Sequence, residues 1–109
     1  MKRSDFVLRA AMATELRARF PLGEVSTTRF AFDRLHALGL EPSDLIARHQ
    51  VGDWGDVDDG DRAMSEESLY EEQLLSAYEI DEERFWVLTT ADRSHTIVFL
   101  PGDPLPDPR

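Results

Sequence analysis

The chain has no cysteine, a single lysine and no apolar run longer than a few residues. The missing thiol excludes disulfides, cysteine nucleophiles and thiolate metal ligands, and it makes a reducing cytoplasm the expected compartment. The single lysine, Lys2, follows no glycine-rich turn, so there is no P-loop, and no G-x-S-x-G nucleophile elbow occurs either. Without a segment long enough to span a bilayer, no membrane association is expected. The basic start MKRSDFVLRAAMATELRARF carries Asp5 and Glu15 where a signal peptide needs an unbroken apolar core. Histidine is also scarce. His36, His49 and His95 are widely separated, with no His-x-x-His or Glu-x-x-His pair, and neither a metal site nor a cofactor is expected.

What is present suits one folded domain. The chain is 109 residues long and 41% hydrophobic, with six phenylalanines, two tryptophans and two tyrosines to build a core. Its net charge of -10 is unevenly placed: residues 52–83 hold thirteen acids and only Arg62 as a base, against eight bases and six acids in residues 1–51. Such a middle third repels phosphate backbones, so direct DNA binding is not expected and a basic partner protein is.

Local patterns place helices first and strands after. Ser4 reads as the cap of a first helix whose inward stripe would be Leu8, Met12 and Leu16, with Phe20-Pro21 as its stop. GEVST reads as a short extended piece. Thr28 reads as the cap of a second helix ending at Gly39, and Pro42 as the first residue of a third, with Asp44 near its positive end. SEESLYEEQ is expected as a short helix capped by Ser65. Three runs rich in aromatic and β-branched residues follow, at 74–80, 84–91 and 95–100, with connections too short for anything but antiparallel neighbours. The expected fold is α+β, a single domain over 1–100 with N-terminal helices packed on a three-stranded antiparallel β-meander. PGDPLPDPR, with four prolines in nine residues, is expected as a mobile tail at 101–109.

The acidic stretch RHQVGDWGDVDDGD invites a calcium loop, and its spacing refuses one. With Asp56 first, Asp61 takes the sixth position where glycine is required and Gly60 falls one residue before it; with Asp53 first, Gly55 and Val57 occupy ligand positions. Two polar clusters remain. In one, His49, Asp53, Trp54 and Asp56 surround a double-glycine turn; the plain reading is that Trp54 plugs the core edge while an aspartate caps the turn. In the other, ADRSHT, Asp92 and Ser94 are ordinary turn residues, while Arg93 and His95 have the chemistry to hold an anion.

Residues 26–101 resemble a family of small proteins carried on plasmids and other mobile elements. The family is often labelled "plasmid related protein" and, misleadingly, "type I restriction endonuclease subunit M". Its motifs R-H-x-x-G-D-W-G, L-L-S-A-Y and W-x-I-T-E-x-D-R-S-x-T-T-x-L-L-P correspond here to Arg48, His49, Gly52, Asp53, Trp54 and Gly55; to Leu74 through Tyr78; and to Trp86, Thr89, Asp92, Arg93, Ser94 and Thr96. This chain departs at Thr90, where glutamate is frequent, at Ile97, where threonine is, and at Glu71 and Glu72, where glycine is common. The methyltransferase label does not fit, because 109 residues hold neither an adenosylmethionine domain nor an Asn/Asp-Pro-Pro motif.

The resemblance implies a mobile-element context without an activity. Two functions are therefore expected as rivals. The first is a non-enzymatic, acidic protein-binding module, of anti-defence type, that docks on the nucleic-acid-binding surface of a partner. Its contact residues would be Asp53, Trp54, Asp56, Asp58, Asp59 and Asp61, joined by Asp92 and Arg93. The second is a metal-independent ribonuclease of toxin-like fold, with His49 and His95 as acid and base and Arg93, Ser94 and Thr96 holding phosphate.

Overall fold

The computed structural model describes residues 1–67 and 72–104. In chain order they form α1 (Arg3–Ala13), β1 (Glu24–Thr27), α2 (Arg29–Ala37), α3 (Pro42–Gln50), α4 (Asp59–Glu67), β2 (Leu74–Ile80), β3 (Glu83–Thr89) and β4 (His95–Phe99). The domain is α+β, with its strands in one four-stranded mixed sheet ordered β1-β4-β3-β2.

The expected meander is present as β2, β3 and β4, paired antiparallel throughout. It is not the whole sheet. The extended piece at GEVST is a fourth strand, lying parallel to β4 with Glu24 opposite His95 and Thr27 opposite Val98. Parallel pairing needs a long crossover, and α2 and α3 with the two antiparallel strands supply it.

The helix ends follow local chemistry. The Thr28 hydroxyl accepts from the Ala31 N–H at the start of α2. Gly39 takes φ +73 after its end, and the Leu40 N–H closes back onto the Leu35 carbonyl. In α3, Pro42 leads and Asp44 accepts from the Glu41 N–H in a capping box.

Two helices differ from expectation. α1 starts at Arg3 after Lys2, without a Ser4 cap, and it buries Phe6, Ala10 and Ala13. Its large apolar side chains face outward instead, because small alanines let α1 sit closely on α3 while Phe6 and Ala10 join the core. α4 begins six residues before Ser65, at Asp59; the Asp58 carboxylate accepts from the Asp61 N–H, and the Asp58 carbonyl accepts from Arg62. Ser65 is buried and bonds Leu75 of β2. The expected continuation of this helix past residue 67 lies outside the described residues.

Leu35, Leu45 and Ile46 of α2 and α3 join Phe6 against Tyr78, Ile80, Phe85, Val87 and Val98 of the sheet in one core cluster. A second cluster at the β2 edge gathers Phe20, Trp54, Val57, Leu74 and Ala77. Of the proline-rich end, 105–109 lie outside the described residues. Asp103 belongs to the fold: its carboxylate accepts from the Thr28 hydroxyl at 2.6 Å and from the Leu100 N–H at 2.8 Å. Among the described residues no helix is long and apolar enough to cross a membrane.

Candidate functional site

The loop between α3 and α4 completes the β2 edge. Ala77 donates to the Trp54 carbonyl and accepts from the Asp56 N–H, so Gly55 bridges Ala77 in parallel register. The Asp56 carboxylate takes the Glu79 N–H at 2.9 Å, extending the seam by one more residue. Gly55 is required here, because it sits at φ +71 with the Ala77 carbonyl pressed against its α-carbon. An otherwise open strand edge is thereby closed by the chain itself.

Arg48 anchors the same loop from below. Its side chain is 4% exposed, its Nε donates to Asp53 at 2.7 Å, and its guanidinium lies over the rings of both Phe6 and Tyr78. The Tyr78 hydroxyl donates to the Asp53 carbonyl at 2.6 Å, and burial pushes its pKa well above the ordinary value. Trp54 is 1% exposed, with its indole N–H on Glu66 and its ring stacked on Phe20.

His49 is fully buried, edge-on to both Phe20 and Trp54. It stands in a chain of hydrogen bonds whose direction can be read from its far end. Thr96 donates to the Leu22 carbonyl at 2.8 Å, so its oxygen accepts from Thr89 at 2.7 Å. Thr89 has then used its only proton and accepts from His49 Nε2 at 2.9 Å. His49 Nδ1 in turn accepts from Ser76 at 2.6 Å, which assigns the neutral Nε2–H tautomer. Burial above all, and then the positive charge of Arg93, lower the His49 pKa from 6.5 to about 3.

The β3–β4 turn is held by its own residues. Asp92 accepts from the Ser94 and Thr90 hydroxyls and from the Ser94 N–H, which lowers its pKa to about 2. Arg93 takes φ +60 and donates to the carbonyls of Glu72, Thr90 and Ala91. Its guanidinium faces Phe20 at 6.0 Å, on the ring that also touches His49 and Trp54.

The two sequence clusters therefore meet through Phe20, in the interior and not on a concave surface. Trp54 is core and offers no contact to a partner, and Asp53 and Asp56 are engaged by Arg48 and by the Glu79 amide. His49 and Thr96 are sealed inside and His95 is half-buried on β4, while Arg93 is half-buried and donates to carbonyls and Ser94 is exposed in the turn. Asp58 caps α4 and Asp92 shapes a turn; Asp59 and Asp61 lie in the first turn of α4. Among the described residues no group of three or more His, Cys, Asp or Glu is placed to hold a metal ion.

Sequence reasoning missed the partners that complete the network, Phe20, Leu22, Ser76 and Thr89. The available signal was a hydroxyl at inward positions of otherwise apolar strands, since such groups need a buried partner.

His49 sets an acid limit on the fold. Between pH 6.5 and about 3 the unfolded chain binds a proton at this residue that the folded chain refuses. The stability it contributes is thus complete above pH 6.5 and is lost as pH falls toward 3. The unfolding midpoint should drop across that window, and His49→Gln should flatten that part of the profile. Parallel profiles for the two proteins would show that the neutral imidazole is not the source.

Compared with family models, with curated proteins and with solved structures, the chain matches none.

Proposed function

We propose that this is a non-enzymatic protein-binding module whose acidic edge docks on a basic surface of a partner protein. One observation carries the reading: Asp59, Asp61 and Glu67 of α4 enter no ion pair among the described residues, although they stand on one nine-residue helix. α4 is fixed beside β2 by Ser65 on Leu75 and by Glu66 on Trp54. Carboxylates held on a rigid support without internal partners are suited to long-range attraction of a basic surface, which raises encounter rate and selects partners by charge.

The resemblance to mobile-element proteins points to the partner class, a host defence protein whose basic surface otherwise receives nucleic acid. An acidic protein of this kind would compete for that surface and act against the defence.

The test is affinity capture from an extract of a plasmid-bearing host at low salt. Captured partner should elute with added salt and with heparin, which competes for basic surfaces. Asp59→Lys, Asp61→Lys and Glu67→Lys together should reduce capture at least tenfold while the protein remains folded, since the three carboxylates enter no ion pair among the described residues and reversal costs only the helix-dipole contribution of Asp59 and Asp61. Capture indifferent to salt and to charge reversal would sink the proposal.

A further inference from the structure

The outward stripe of α1 forms a second surface, distinct from the acidic edge. Leu8, Met12 and Leu16 are 61%, 62% and 64% exposed, although each is the kind of side chain that a helix normally buries. Leu8 and Met12 stand one turn apart on α1, about 6 Å at 1.5 Å per helical residue, and Leu16 follows in the turn after the helix. The segment after α3 forms a second wall. Between the two runs a groove of about 530 Å³, with Leu8, Met12, Leu16 and Val51 along it and Arg9 and Asp53 at its margins.

The N-terminal segment that builds one wall of this groove is opposite in net charge to the rest of the chain. Residues 1–19 carry Lys2, Arg3, Arg9, Arg17 and Arg19 against Asp5 and Glu15, a balance of +3; with -10 for the whole chain, residues 20–109 hold -13. Lys2, Arg9 and Arg17 enter no ion pair among the described residues, and the Asp53 carboxylate at the margin is already neutralised by Arg48. The large apolar side chains that the fold leaves out thus coincide with bases that the fold leaves unpaired.

We infer that this groove receives an acidic amphipathic helix of a partner protein. The occupant's apolar ridge, spaced like that of α1, interdigitates with Leu8, Met12 and Leu16, as the i±4 ridges of two helices do when they cross at about -50°. Its flanking carboxylates meet Arg9 in the groove wall and Arg17, which follows Leu16 in the chain. An apolar occupant with basic flanks is rejected by the same arginines, which gives the groove its selectivity.

The inference is tested with a fluorescein-labelled helical peptide of glutamate and leucine, its leucines at i, i+4 and i+7, and with a matched peptide carrying lysine for glutamate. Anisotropy titration should show the acidic peptide binding at least tenfold tighter than the basic one. Leu8→Ser with Met12→Ser should weaken it at least tenfold with little change in the unfolding midpoint, because both side chains are already in water. Arg9→Glu with Arg17→Glu should remove the preference for acid. Equal binding of the two peptides, or binding insensitive to these variants, would overturn the inference. So would a dimer in light scattering, or retention on phosphatidylserine vesicles, that the serine variant abolishes while peptide binding is absent. The first would assign the groove to a second copy and the other to a lipid surface.

Discussion

Gly55→Ala is expected to lower the unfolding midpoint by more than 10 °C. A β-carbon at this position would lie 2.1 Å from the Ala77 carbonyl oxygen and 2.6 Å from the Tyr78 ring, so the loop must leave the strand to admit it. The left-handed backbone, φ +71, adds roughly 1–2 kcal/mol of its own for a non-glycine residue. Loss of the seam to Ala77 brings the total to about 3–5 kcal/mol, and each kcal/mol shifts the midpoint of a domain this size by roughly 4–8 °C. Gly102→Ala separates the two causes. That residue has φ +84 with nothing within 4 Å of the added carbon, so only the backbone cost of about 1 kcal/mol should appear. Equal losses in the two variants would mean that the loop yields easily and does not close the β2 edge.

The second large effect is an asymmetry at the Arg48–Asp53 pair. Asp53→Ala leaves a guanidinium 4% exposed with no counter-charge, a situation that costs about 3–5 kcal/mol for a buried pair. The lower end applies, because Asp53 itself is 37% exposed and part of its interaction is screened by water. Arg48→Met keeps much of the packing against Phe6 and Tyr78 and strands only a carboxylate that water can reach, so it should cost roughly half as much or less. Urea melts of the two variants decide the order. Should Arg48→Met prove the more damaging, the arginine would be acting through its stem and its ring contacts and not through its charge.

Much of this architecture was legible in the sequence. The aromatic and β-branched composition of the LLSAYEI run marked β2 to the residue, and Thr28, Gly39 and Pro42 marked helix ends, because each acts through its immediate neighbours. β1 was legible only as an extended piece, since four residues carry too little periodicity to reveal a parallel partner about seventy positions away. α1 misled for a different reason. Hydropathy ranks Leu8, Met12 and Leu16 above Ala10 and Ala13, whereas close approach of two helices rewards small residues over large ones. At the site, the sequence marked Arg48, His49, Asp53, Trp54 and the Asp92–Ser94 turn as special but did not reveal which of them water reaches. Of the rings around His49, Trp54 is near in the chain but Phe20 lies 29 positions earlier, and the proton partners come from β2 and β3, far from it in the chain.

The hydroxyl chain through His49 has a consequence for specificity. Ser76, Thr89 and Thr96 sit on three adjacent strands, and each points inward only because of its parity along its strand. A slip of any strand by one residue would turn its hydroxyl to the other face, put an apolar neighbour against the imidazole and leave a ring nitrogen or a carbonyl without a partner in a dry interior. A core of valine and leucine alone would tolerate such a slip far better. The buried polar chain thus acts as a checksum on strand alignment: it adds little attraction to the correct arrangement and imposes a large penalty on each of its near neighbours.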